Sequence, residues 1–140
     1  MKRKLSFSLA LTAVLVLDLA CSGPVRAYPG AERPAAELAT VSLSPREPGL
    51  TIGLVDGQEV GSRIHDVQVL PGRHTFLVKA YADSGLLAAH LSNTQERAVP
   101  FEVQAGRAYT IGVVQTGLAS DALALSVRDD RAGTAVPASF

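Results

Sequence analysis

Apolar residues of this chain fall into short runs that begin near residue 38 and are separated by turn residues. Within several runs apolar and polar residues alternate, which places every second side chain on the same face of an extended strand. Val99, Phe101 and Val103 share one such face. The pattern predicts strands at residues 38–43, 50–55, 66–70, 73–82, 97–104, 108–115 and 123–127, with a short return strand at 58–60.

The turn residues between these runs support an all-β fold. Asp56-Gly57 predicts a tight turn because glycine accepts a positive φ, and Pro71-Gly72 predicts a second one. Pro100 predicts an edge position or a bulge for its strand. Strands recur without the helices that parallel βαβ units need. We therefore expect a small antiparallel β-sandwich of about seven strands over residues 37–128.

One stretch inside the domain is ambiguous. Residues 84–91 fit a short helix capped by Ser84, a strand or a loop, and Gly85 directly after the cap position favours a loop or an irregular strand.

The regions that flank the domain lack its pattern of alternating residues. Residues 21–36 are rich in proline and glycine and predict an extended tether, although docking of Tyr28 on the domain stays open. Residues 129–140 predict a flexible C-terminal tail.

The N-terminus is typical of an export signal. Three basic residues at positions 2–4 precede an uncharged, mostly apolar segment at 5–17, which is too short to span a membrane as a helix. Cys21 lies four positions after this segment. It is the single cysteine of the chain, so an intramolecular disulfide is excluded. We expect a signal peptide over residues 1–20. Ordinary cleavage after Ala27, at an A-x-A-like site, is the alternative, and it would release a soluble periplasmic protein.

The stretch Leu17-Asp18-Leu19-Ala20-Cys21-Ser22-Gly23 resembles the lipobox of bacterial lipoproteins. The resemblance implies that the Cys21 thiol receives a diacylglycerol and that cleavage makes Cys21 the new N-terminus. Asp18 stands where that family prefers an aliphatic residue. Ser22 implies an outer-membrane location facing the periplasm in a Gram-negative host. Anchoring by two acyl chains is firm, since each buried CH₂ contributes about 0.8 kcal/mol.

The turns also carry a resemblance. The pattern Val55-Asp56-Gly57 followed by Val69-Leu70-Pro71-Gly72-Arg73-His74-Thr75-Phe76 resembles the PEGA-type β domain of bacterial envelope proteins. Ala105-Gly106-Arg107-Ala108-Tyr109 is similar to a later turn and strand in small lipoproteins of this layout. The resemblance implies a β fold and an envelope location, and it transfers no active site.

Candidate chemistry is sparse outside Cys21. The three histidines, His65, His74 and His90, lack the close spacing of zinc ligands, so we expect no metal or other cofactor. His74 beside the Pro71-Gly72 turn is expected to hydrogen-bond the loop backbone. Asp129-Asp130 is expected to be a solvated charge pair. No hydrolase elbow or phosphate loop is present, and we expect no catalytic residues.

Charge narrows the choice of partner. Removing residues 1–20 takes three basic residues and one acidic residue from a chain with 13 of each, which leaves a net charge near −2 and no reason to expect nucleic acid. We expect a non-enzymatic binding or structural module, anchored to the membrane and contacting another envelope protein or the cell wall. The loops at 44–49, 61–66 and 83–95 are the candidate contact sites. An envelope enzyme with an unrecognised site and a small-ligand carrier are the alternatives.

Overall fold

The computed structural model describes residues 23–47, 49–81, 94–114 and 123–138. The signal segment 1–20, Cys21, His90 and the ambiguous stretch 84–91 lie outside the described residues. The described chain forms one 3-10 turn, Ala35–Glu37, and a series of strands. The strands are β1 (Val25–Arg26), β2 (Ala39–Leu43), β3 (Leu50–Val55), β4 (Gln58–Ile64), β5 (Asp66–Val69), β6 (Gly72–Ala80), β7 (Gln95–Val103), β8 (Ala108–Val113), β9 (Leu125–Asp129) and β10 (Thr134–Val136).

The strands form two sheets. The four-stranded sheet has the order β4-β3-β6-β7 and is antiparallel throughout, and the six-stranded sheet has the order β1-β5-β2-β8-β9-β10. In the larger sheet β1 pairs with β5, and β2 with β8, in parallel. The prediction of a small all-β sandwich is confirmed. The described residues contain more strands than the seven or so expected, and one sheet is mixed rather than antiparallel.

The core lies between the two sheets and is formed by alternate side chains. Phe76, Val78 and Ala80 on β6 are fully buried, as their alternation predicts. The Phe76 ring stacks on Phe101 with centroids 5.0 Å apart, and the centroid of Tyr109 lies 5.7 Å from that of Phe101. This row of rings crosses from the four-stranded sheet to β8 of the six-stranded sheet. Aromatic side chains therefore fill the part of the interior beside the end of β3 and the start of β8.

The edges of the four-stranded sheet are irregular. β7 is an edge strand and contains Pro100, as predicted. β4, the other edge, continues to Ile64, so the expected loop at 61–66 is wrong. Gly61 (φ 128°) and Arg63 (φ 56°) have positive φ, and the register between β3 and β4 shifts beside them. These backbone conformations let β4 continue to Ile64, although apolar and polar residues do not alternate along it.

Both flanks of the predicted domain carry short strands. β1 lies in the expected tether, and Tyr28 is buried, which is the docked alternative that the sequence left open. β10 pairs with β9, so the expectation of a flexible tail is wrong for residues 129–136. Two or three residues are too few to show a period of their own, and their pairing depends on the neighbouring strand.

Candidate functional site

The connections of the sandwich lie at two ends. At the turn end, the chain reverses through tight turns at residues 56–57, 70–71, 104–107 and 130–133. At the loop end are the loop 44–47 and 49, the junction of β4 with β5 at His65, Tyr81 after β6, and Val114 after β8. The backbone connects these loop-end segments, because Leu43 donates to the His65 carbonyl and Tyr81 donates to the Gly49 carbonyl. The turn end contains most of the hydrogen-bonded polar side chains described below.

His74 and Asp56 form a pair of hydrogen-bonded polar side chains at the turn end. The Asp56-Gly57 turn has φ of 51° and 79°, which is the geometry of a type I′ hairpin turn. The Asp56 carboxylate accepts a hydrogen bond from the Thr75 amide at 2.8 Å and contacts His74 Nδ1. His74 Nε2 donates to the Leu70 carbonyl at 2.7 Å. One imidazole thus joins the β3–β4 turn to the connection between β5 and β6.

These contacts agree with the role predicted for His74 and limit the chemistry that its ring can perform. The ring hydrogen-bonds loop backbone, as expected, and also meets a carboxylate that the sequence did not pair with it. Both ring nitrogens face oxygen atoms of the protein, so neither is free to exchange a proton with a bound substrate. His65 is exposed at the opposite end, beside the start of β5. The described histidines therefore do not come together, and the location of His90 lies outside the described residues.

Tyr109 fixes the next turn. Its hydroxyl accepts a hydrogen bond from the Gln104 amide at 3.0 Å, and the Gly106 amide of the same turn donates to the Leu38 carbonyl at 2.8 Å. The contact runs from a tyrosine near the start of a strand to backbone a few residues upstream, as in a tyrosine corner. This gives a physical role to the Gly-x-x-Tyr pattern that the sequence analysis singled out.

Asp129 organises the turn between β9 and β10. Its carboxylate accepts from the amides of Ala132 at 3.0 Å and Arg131 at 2.9 Å, and it pairs with Arg107 at 3.2 Å. The Ala132 amide above all, with the Arg131 amide and the Arg107 guanidinium, lowers the pKa of Asp129. The expectation of a solvated charge pair is wrong for Asp129, which is buried. Asp130 is exposed, as expected, but it also accepts a hydrogen bond from the Thr110 hydroxyl at 2.8 Å.

A groove lies between the N-terminal segment and the β3–β4 hairpin, with a volume of about 200 Å³. The Arg26 guanidinium carbon sits 5.6 Å from the centre of the Tyr28 ring, within the range of a cation–π contact, and the Tyr28 hydroxyl accepts from the Arg33 amide. No sequence pattern indicates this groove, because the groove depends on β1. The lining residues are Arg26, Ala27, Tyr28, Pro29, Val55, Gln58, Glu59 and Val60.

Side chains of β7 connect the two sheets near the loop end. Gln95 accepts from the Leu123 amide at 2.9 Å, and Arg97 donates to the Leu123 carbonyl at 3.2 Å. On the outer face Lys79 pairs with Glu96 at 2.9 Å, and that hydrogen bond raises the pKa of Lys79. These polar groups hold strands together. Within residues 23–47, 49–81, 94–114 and 123–138, no three His, Cys, Asp or Glu side chains are grouped as metal ligands would be.

The described part of the chain also contains no helix with the length and apolar character needed to cross a membrane. Comparisons with known proteins add no relative: no family model, curated protein or solved structure matches this chain.

Proposed function

We propose that this chain is a lipoprotein of the bacterial cell envelope, held at the outer membrane on its periplasmic side by an acylated Cys21. Its β-sandwich acts as a non-enzymatic binding or structural module. The basic residues at 2–4, the apolar segment 5–17 and the lipobox-like stretch ending at Cys21 support the anchor.

The observation that carries the proposal is the position of β1. Val25 pairs with Val67, Arg26 pairs with Gln68, and the Ala27 amide donates to the Gln68 carbonyl at 2.9 Å. A mature chain that begins at Cys21 keeps this strand. Cleavage after Ala27 would remove it, together with the guanidinium that lies over the Tyr28 ring. The fold therefore favours cleavage before Cys21 over release of a soluble protein.

A binding or structural role is supported by how the sandwich uses its polar side chains. Asp56, His74, Tyr109 and Asp129 hydrogen-bond backbone groups of neighbouring turns. Each such bond contributes about 0.5–1.5 kcal/mol and fixes the local backbone. Turns held in this way make a rigid scaffold, which suits recognition better than catalysis by the same groups. The groove beside β1 is the surface where we place contact with another envelope protein or the cell wall.

Mass spectrometry of the mature N-terminus tests the anchor. We expect wild-type protein from the membrane fraction to begin at a triacylated Cys21, and Cys21→Ser to lose the acyl mass. A wild-type chain that begins at Tyr28 without modification would refute the anchor and establish the soluble alternative. Crosslinking of the anchored form, with Arg26→Ala as the groove variant and Arg73→Ala as an exposed control, then tests where a partner binds.

A further inference from the structure

The direction of β1 shows where the N-terminus leaves the sandwich. β1 runs parallel to β5, with Val25 opposite Val67 and Arg26 opposite Gln68. Residues before Val25 therefore leave from the end at which β5 begins. β5 begins at Asp66, which lies opposite Ser42 near the end of β2. This is the loop end, and the tight turns lie at the opposite end of the sandwich.

The pairing of β1 also shortens the free chain between anchor and domain. Only three residues separate Cys21 from Val25, so these four steps of extended chain span at most about 14 Å. The sequence predicted a tether reaching residue 36, long enough to lift the domain off the membrane. With β1 in the sheet, the domain cannot move that far from an acylated Cys21.

A second observation points to the same end. Among the described residues, the large apolar side chains with high exposure are Tyr81 at 38% and Val114 at 40%. Tyr81 follows β6 and its amide donates to the Gly49 carbonyl, while the Val114 amide donates to the Ala124 carbonyl. Both therefore occupy the loop end, where the N-terminus leaves. Tyrosine is enriched at membrane interfaces because its ring is apolar and its hydroxyl is polar.

We infer that the loop end rests on the lipid surface, with the side chains of Tyr81 and Val114 in the headgroup layer and the turn end pointing away from the membrane. The inference rests on the proposed acylation of Cys21. In this orientation the apolar side chains leave water, while the hydrogen-bonded turns stay accessible to soluble or wall-bound partners.

Site-directed spin labelling of the full lipidated protein tests this orientation. The protein is reconstituted in vesicles of phosphatidylethanolamine and phosphatidylglycerol, and labels are placed through Tyr81→Cys, Val114→Cys and, as the turn-end control, Ala105→Cys. Acylated Cys21 offers no thiol, so each variant carries one label. We expect labels at 81 and 114 to be more accessible to oxygen than to an aqueous nickel complex, and the label at 105 to show the reverse order.

Lengthening the tether provides an independent variant. Insertion of a flexible Gly-Ser segment between Gly23 and Pro24 leaves the fold intact and should reduce the difference between labels 81 and 105. If the acylated protein shows equal nickel accessibility at all three labels, the orientation is wrong and the anchor stands. If mass spectrometry finds no acylated Cys21, the proposed function fails, and the orientation fails with it.

Discussion

The two sheets of the sandwich are assembled from contacts of different range. In the four-stranded sheet β3 pairs with β4, and β6 with β7, which in each case is the next described strand. In the six-stranded sheet β2 pairs with β8, so that Thr40 lies opposite Ala108. Among the described strands, two of the three pairings in the smaller sheet join successive strands, whereas three of the five pairings in the larger sheet join strands that are not successive.

This difference affects how each sheet is stabilised. Hairpins formed by neighbouring strands are fixed by their turns, and here the β3–β4 turn is held by Asp56. Strands that are distant in sequence share no turn. Their pairing depends on the burial of apolar side chains and on polar side chains that contact the neighbouring strand. The ion pair between Arg107 and Asp129 is such a contact in the six-stranded sheet, whereas Tyr109 fixes the turn before β8. Substitutions in each sheet can separate the contributions of packing, turn fixation and charge.

Loss of a core ring should have the largest effect. Phe76→Ala in the four-stranded sheet removes a fully buried side chain that stacks on Phe101, and we expect a loss of about 3–5 kcal/mol in the free energy of unfolding. Ile111→Val on the inner face of the six-stranded sheet is the mild comparison, with about 0.5–1.5 kcal/mol. Urea denaturation followed by circular dichroism measures both. Equal losses would show that the row of rings contributes no more to stability than the aliphatic part of the core.

Loss of a turn-fixing side chain should have an intermediate effect. His74→Ala removes the bonds to Asp56 and the Leu70 carbonyl, and we expect a loss of about 1–2 kcal/mol. Tyr109→Phe, the corresponding change in the larger sheet, should cost about 1 kcal/mol because it leaves the Gln104 amide without its partner. A double-mutant cycle of His74→Ala with Asp56→Asn measures the pair itself. If the cycle gave a coupling energy of zero, the conclusion that His74 and Asp56 connect the two turns would be wrong.

The smallest effect should come from a single charge and should depend on pH. The lowered pKa of Asp129 means that its carboxylate stabilises the fold at neutral pH, and that this contribution is lost as the pH falls below about 4. Asp129→Asn should therefore be less stable than wild type at neutral pH, and the difference should shrink in acid. Asp66→Asn, at an exposed position on β5, is the matched control. A difference that stays constant with pH would exclude a role for the charge.

The comparison also explains what the sequence could predict. The strand at 50–55 follows from its β-branched and aliphatic residues, the Asp56-Gly57 turn from residues suited to turns, and the buried face of β6 from local alternation. Pro100 was predicted correctly at an edge because its missing amide restricts it wherever the strand lies. Strands of the larger sheet were predicted from the same local signals, as at 66–70 and 108–115, but their pairing was not. In the smaller sheet the continuation of β4 to Ile64 was missed.

Most of the missed features depend on distant partners. β1 is too short for a pattern, and its strand conformation comes from pairing with β5, which is far away in sequence. β10 is also too short for a pattern, although its partner β9 directly precedes it. Asp129 looked like an ordinary surface charge because Arg107, which meets it, lies far away in sequence. The groove beside β1 could not be predicted either, because its two walls, residues 26–29 and 55–60, are far apart in sequence. In the candidate site, His74 is thus the residue whose role could be predicted, because it follows the Pro71-Gly72 turn.

Irregular edges of the smaller sheet have a consequence for crowding. An unbroken outer strand presents a row of amides and carbonyls that can add a strand from another molecule. Here Pro100 interrupts that row on β7, and Gly61 with Arg63 distort it on β4. The two edges of the smaller sheet are therefore poor templates for adding a strand from a second copy.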